Sequence, residues 1–183
     1  TGHYGAGSTA QYHVDFELSP ILKEQNINDL RSVAIVQRDV ELAGRGIKGS
    51  NTGSSIEALK TEMGTDKFKA VQATLDKLYK YQDEMVKKYL VDKSIISKSA
   101  YDAMRAKNQF YVPYKRVMDE VDDFLGFVPQ TRSAGSVSSQ NVVFKIKGSE
   151  KQIIDPIESI LESTYKMVGL GKRQEVARTI VSL

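Results

Sequence analysis

Apolar side chains recur at intervals of three and four over most of the chain, and that period predicts a mainly α-helical fold. The strongest stretch runs from Thr65 to about Val91. There Phe68, Val71, Leu75, Leu78, Tyr79, Met85, Val86, Tyr89 and Leu90 form one stripe, interrupted by Gln82. Thr65 is the expected cap, and Asp66 suits the positive end of the helix dipole. An earlier helix is expected from near Asn28-Asp29, with Leu30, Val33, Ala34, Val36, Val40 and Leu42 inward and Arg31, Gln37, Arg38 and Glu41 largely outside. Gly44 and Gly46 end it, because glycine readily takes positive φ beyond a helix C-terminus. A loop over 49–55 leads to a short helix holding Ile56, Leu59 and Met63, and a further helix from about Ser97 to Lys107 turns Tyr101 and Met104 inward.

Two stretches alternate instead. Tyr12, Val14 and Phe16 oppose His13, Asp15 and Glu17, and Val142, Phe144 and Ile146 oppose Val143, Lys145 and Lys147; each reads as a short strand. Ser19-Pro20 reads as a helix cap followed by proline at the first helical position. Pro113 forces Val112 toward extended geometry, so the segment 110–114 cannot continue a helix. The segment 130–140 is a Ser/Thr/Gly loop. Asp155-Pro156-Ile157-Glu158 is a helix start carrying Ile157, Ile160, Leu161 and Tyr165, expected to break at Gly169 and Gly171 before a last helix from Lys172 to Leu183 with Val176, Ile180 and Val181 apolar. The expected architecture is a multi-helix domain with one or two short β-strands or a β-hairpin. Its parts are an N-terminal extended segment and short helix (1–27), a helical core with a basic hairpin (28–128), a flexible loop (129–141), and a strand with C-terminal helices of the same domain (142–183).

Charge changes this picture locally. The net charge of +3 hides a middle section, residues 65–118, with 12 basic against 6 acidic side chains, between near-neutral flanks. Lys77, Lys80, Lys87, Lys88, Lys93, Arg105 and Lys107 lie there beside Tyr79, Tyr81 and Tyr89. Cations for phosphates and rings for bases make these the candidate nucleic-acid contacts. Tyr79 and Tyr89 also fall on the apolar stripe, which makes them core residues on the plainer reading. With no cysteine, thiolate metal sites and cysteine nucleophiles are excluded. His3 and His13 share no short ligand spacing and read as incidental exposed histidines. Asp119, Glu120, Asp122 and Asp123 lack the glycine turn and alternating ligands of a calcium loop, so they read as a solvated helix face. Gly44-Arg45-Gly46-Ile47-Lys48-Gly49 matches GxGxxG, but it follows a helix rather than a strand; we read it as a helix stop and expect no cofactor. No apolar run approaches the length of a membrane span. The chain opens on Thr1 without Met and reaches Leu183 inside a helical pattern, so a fragment of a longer protein is expected.

Three stretches together carry a resemblance. They are Arg38-Asp39-Val40-Glu41-Leu42 with Arg45-Gly46-Ile47; Tyr89-Leu90-Val91 through Ile96-Ser97 to Asn108, Tyr111-Val112-Pro113-Tyr114 and Arg116; and Lys147-Gly148-Ser149-Glu150 with Ile154-Asp155-Pro156-Ile157-Glu158-Ser159-Ile160. In this order, over residues 30–183, the chain resembles a helical region of the large polyvalent proteins of tailed phages, prophages and conjugative elements. The resemblance implies a place among helicase, methyltransferase, protease or toxin modules of a parent that travels with injected DNA, in the virion or the bacterial host cytoplasm. It transfers no catalytic motif. The expected role is a non-catalytic structural or interaction module whose partners are neighbouring domains of the parent. Three other readings stay open: a segment binding DNA or RNA through residues 67–116, part of an enzyme completed by residues elsewhere, and a binder of a host protein.

Overall fold

The computed structural model describes residues 5–49, 53–108, 110 and 155–181. The protein is mainly helical, and among the described residues there is no strand. The first rod joins α1 (Ala6–His13), a π-helical turn (Val14–Leu18) and α2 (Ser19–Leu22). Then come α3 (Ile27–Ala43), α4 (Ile56–Met63), α5 (Thr65–Val86) continued by a second π turn (Lys87–Val91), α6 (Lys98–Lys107) and α7 (Pro156–Val181).

The local chemistry sets these ends. Asn26 Oδ1 accepts from the Asn28 amide at 2.8 Å, Ser55 Oγ from Ala58 at 3.0 Å, Ser97 Oγ from Ala100 at 3.1 Å and Asp155 Oδ1 from Ile157 at 2.9 Å. The turn after α3 is a glycine stop. Gly46 takes φ 69°, its amide reaches the Ala43 carbonyl at 2.9 Å, and the Ile47 amide reaches Leu42 at 2.9 Å, the paired bonds of a Schellman closure. The GxGxxG stretch therefore closes a helix C-terminus, where carbonyls rather than amides are exposed. Of its first two glycines only Gly46 needs positive φ, since Gly44 is still right-handed.

Leu30, Val33 and Val36 of α3, Phe68, Val71, Leu75, Leu78, Met85 and Val86 of α5, and Ile157, Ile160, Met167 and Val168 of α7 form one core with Ala10 and Leu18 of the first rod. α5 is the central element, packed by α2, α3, α4 and α7, while α1 lies along α7.

Several expectations need correction. Tyr12, Val14 and Phe16 are helical, and the N-terminal segment is not extended. Ala10, His13 and Leu18 are the buried residues there, which is helical spacing, while Tyr12 and Phe16 stack outside with ring centroids 4.9 Å apart. The alternation of three side chains was too short to outweigh that longer period. Ser19 makes no cap, because the rod is already helical when it arrives. Gly64, at φ 84°, joins α4 to α5 and is the cap residue, so Thr65 is simply the first helical residue. Val40 faces outward, whereas Gln37, Arg38 and Gln82 are buried. Gly169 and Gly171 do not break α7, which is continuous through Val181. The strand expected over 142–146, the helix around 119–125 and the loop over 130–140 lie outside the described residues.

Candidate functional site

The polar residues of α3 and α6 converge. Arg38, Glu41 and Arg45 share one stripe at spacings of three and four, and that stripe faces the C-terminal end of α6. Arg38 Nη1 donates to Glu41 Oε2 at 2.7 Å and to Asn108 Oδ1 at 2.7 Å. Arg45 Nη1 reaches Asn108 Oδ1 and the Lys107 carbonyl, both at 3.3 Å. Asn108 returns its amide to the Met104 carbonyl at 2.8 Å. Arg105 adds contacts to the carbonyls of Asn108 at 3.3 Å and Phe110 at 3.5 Å. The unsatisfied carbonyls at the end of α6 thus meet two guanidinium groups, which also complement its dipole. Arg38 can be buried because it is neutralised by Glu41 and bonded by Asn108. Gln37 is buried for a similar reason, accepting from the Tyr79 hydroxyl at 3.3 Å.

Beside this cluster runs a groove of about 420 Å³ between α5 and α6. Lys80, Lys87 and Arg105 line it, but so do Asp76, Asp83 and Glu84, with Tyr79 and Phe110 as its rings. Asp83 lies 3.2 Å from Arg105. Three cations against three acids give the groove little net field for a phosphate chain.

The other expected nucleic-acid residues are dispersed. Lys77 binds Glu24 at 2.7 Å, and that ion pair holds the exposed Glu24 carboxyl below its ordinary value. Lys88 sits over the Tyr89 ring at 5.4 Å, Lys87 over Tyr101 at 5.6 Å, and Lys93 pairs with Glu175 at 3.5 Å. Lys107 contributes its carbonyl to Arg45. Lys80, Lys87 and Arg105 therefore share a groove, whereas Lys77, Lys88 and Lys93 do not line it.

His13 departs from the expected incidental, exposed histidine. It is 3% exposed, with Nδ1 2.8 Å from Glu17 Oε2 and Nε2 2.7 Å from the Tyr89 hydroxyl. These contacts link the first rod to the second π turn, and Gly171 of α7 presses on the same tyrosine. No sequence signal pairs His13 with a residue 76 positions away. His3 and the Asp119–Asp123 group lie outside the described residues.

The tyrosines carry a pH consequence. Thr164 Oγ1 donates its hydrogen to the Ile160 carbonyl at 3.0 Å, so the Tyr81 hydroxyl, 3.0 Å away, is the donor to Thr164. Burial pushes the Tyr81 phenol up from 10.0 to about 12, and it pushes Tyr89 and Tyr101 up as well. A raised folded-state pKa gives stability that is complete below the unfolded value and lost as pH rises through the folded one. Denaturant melts are therefore expected to hold up to pH 10.0 and weaken progressively toward about 12. Tyr81→Phe should make that alkaline decline shallower; an unchanged slope would contradict the assignment.

Among the described residues no group of three or more His, Cys, Asp or Glu side chains could hold a metal ion, and no helix is long and apolar enough to cross a membrane. Comparison with protein-family models, with curated proteins and with solved structures gives no match to this chain.

Proposed function

We propose that the chain is a structural and interaction module, without chemistry of its own, of a larger phage-type polyvalent or DNA-ejection protein. It would act in the virion or the bacterial host cytoplasm, beside neighbouring domains of its parent. One observation carries this reading. Several described polar residues of the stretches that carry the resemblance join one helix to another. Arg38, Glu41 and Arg45 of the first stretch bind Asn108 of the second, directly or through Arg38. Asp155 of the third both caps α7 and pairs with Arg31 of α3. Residues used this way fix the relative placement of helices, which is what an interaction surface requires of its scaffold.

A second reading has one observation in its favour: Lys80, Lys87 and Arg105 share a groove with two aromatic rings. The three acids among them oppose it. Filter binding of single-stranded DNA, duplex DNA and RNA to the 183-residue chain at low salt separates the two. The structural reading expects no retention above background. Retention that falls steeply with salt, and is abolished when Lys80, Lys87 and Lys88 are neutralised together, would overturn it in favour of nucleic-acid binding.

A further inference from the structure

Buried positions along α7 stop at Gly171, but its apolar pattern continues. Gly169, Arg173, Val176 and Ile180 follow one another at spacings of four, three and four, so they form a single stripe on the helix. Val176 is 59% and Ile180 65% exposed. Ala6, at the start of α1, faces this stripe across an open groove of about 380 Å³ that Ala177 and Lys172 also line. The flanks are cationic. From Lys172 to Ile180 the helix carries Lys172, Arg173 and Arg178 against a single acid, Glu175. Glu175 is engaged by Lys93 at 3.5 Å and Lys172 at 3.6 Å, and the field of these two lysines holds its carboxyl below the ordinary value.

We propose that this groove is the docking site for an amphipathic helix whose apolar residues repeat at three and four and are flanked by Asp and Glu. The inference deepens the interaction-module reading, on which it rests. Three features select that occupant. Ala6, Gly169 and Ala177 are small enough to let a helix backbone approach closely. Val176 and Ile180 present the helical period of an apolar ridge-and-groove contact. Lys172 and Arg173 meet acidic flanks with complementary charge. A second copy paired in parallel through the same stripe would set Lys172 and Arg173 against their own counterparts; one paired antiparallel would not, and it is an outcome of the test below. An anionic bilayer fits poorly: neither of the two large aliphatic side chains lining the groove is accompanied there by an aromatic anchor.

The test uses the whole chain and two labelled helical peptides with the same leucine ridge, one flanked by Glu and the other by Lys, read by fluorescence anisotropy. The Glu peptide is expected to bind, and the Lys peptide at least about tenfold more weakly. Val176→Asp with Ile180→Asp should weaken the Glu peptide at least about tenfold while leaving the far-UV spectrum and melting curve unchanged, since both side chains are exposed. Lys172→Glu with Arg173→Glu should reverse the charge preference. Absent binding, equal binding of both peptides, or unaltered binding by the aspartate variant overturns the proposal. Recruitment to anionic vesicles in place of the peptide, or a dimer abolished by the aspartate variant, overturns it equally. Failure here is distinguishable from failure of the broader reading, which is decided by nucleic-acid retention on residues that do not line this groove.

Discussion

Replacing Arg38 by alanine is expected to lower the unfolding free energy by about 3 kcal/mol, because it removes the guanidinium that pairs with a largely buried carboxylate and bonds Asn108. Glu41 is only 9% exposed at its side chain and receives Arg38 Nη1 at 2.7 Å. Asn108 loses a charged donor in the same substitution. At this chain length the loss corresponds to a melting temperature lower by about 6–12 °C. Arg38→Lys should recover only part of it, since a point-charge ammonium cannot serve Glu41 and Asn108 with the fork geometry of a guanidinium. Thermal and denaturant melts of the two variants check the expectation. A loss under about 0.5 kcal/mol, the usual scale of a surface substitution, would mean that the pair is solvated.

Two glycines one turn-fraction apart in α7 should respond with opposite signs. A Cβ on Gly171 would lie 2.8 Å from Tyr89 Cδ1, 3.1 Å from the Tyr89 carbonyl oxygen and 3.2 Å from its Cβ. Because one of those atoms is backbone and the ring is bonded through its hydroxyl to His13, neither side yields cheaply. Gly171→Ala is expected to cost about 1–3 kcal/mol, the range of overpacking a filled core. A Cβ on Gly169 meets nothing within 4 Å. Gly169→Ala should therefore stabilise the helix by about 0.5–1 kcal/mol, the ordinary propensity difference. Melting curves of the two variants give the signs. A stabilising alanine at 171 would show that α7 does not pass so close to Tyr89.

Those two sites also mark where sequence reading succeeds and where it stops. Helices α3 to α6 were legible, because each buries a stripe at intervals of three and four, with local signals at some of their ends, such as Gly46 after α3 and Ser97 before α6. Tyr79 and Tyr89 were legible as core residues on the same grounds. Gln37 and Arg38 were not, because polarity places a side chain outside unless its partner is known, and Asn108 lies 70 residues from Arg38. His13 was missed similarly. Gly171 reads locally as a helix breaker, whereas its role is to admit Tyr89 from another element. The π turns at Val14–Leu18 and Lys87–Val91 left no composition signal; they lie on the two sides of the His13–Tyr89 contact. The basic middle was legible as charge, but not as geometry: Glu24, Glu175 and the acids of the α5–α6 groove divide it.

The first two of the distinctive polar stretches meet in one bonded cluster that joins α3 to α6. A double-mutant cycle on Arg38→Ala and Asn108→Ala, read as unfolding free energies by urea denaturation, tests it most directly. Residues within one hydrogen-bond network couple, and a coupling energy of about 1–3 kcal/mol is expected here. Single losses that add to within about 0.3–0.5 kcal/mol in the double variant would contradict the account, since they would show two independent surface residues rather than a joint between helices.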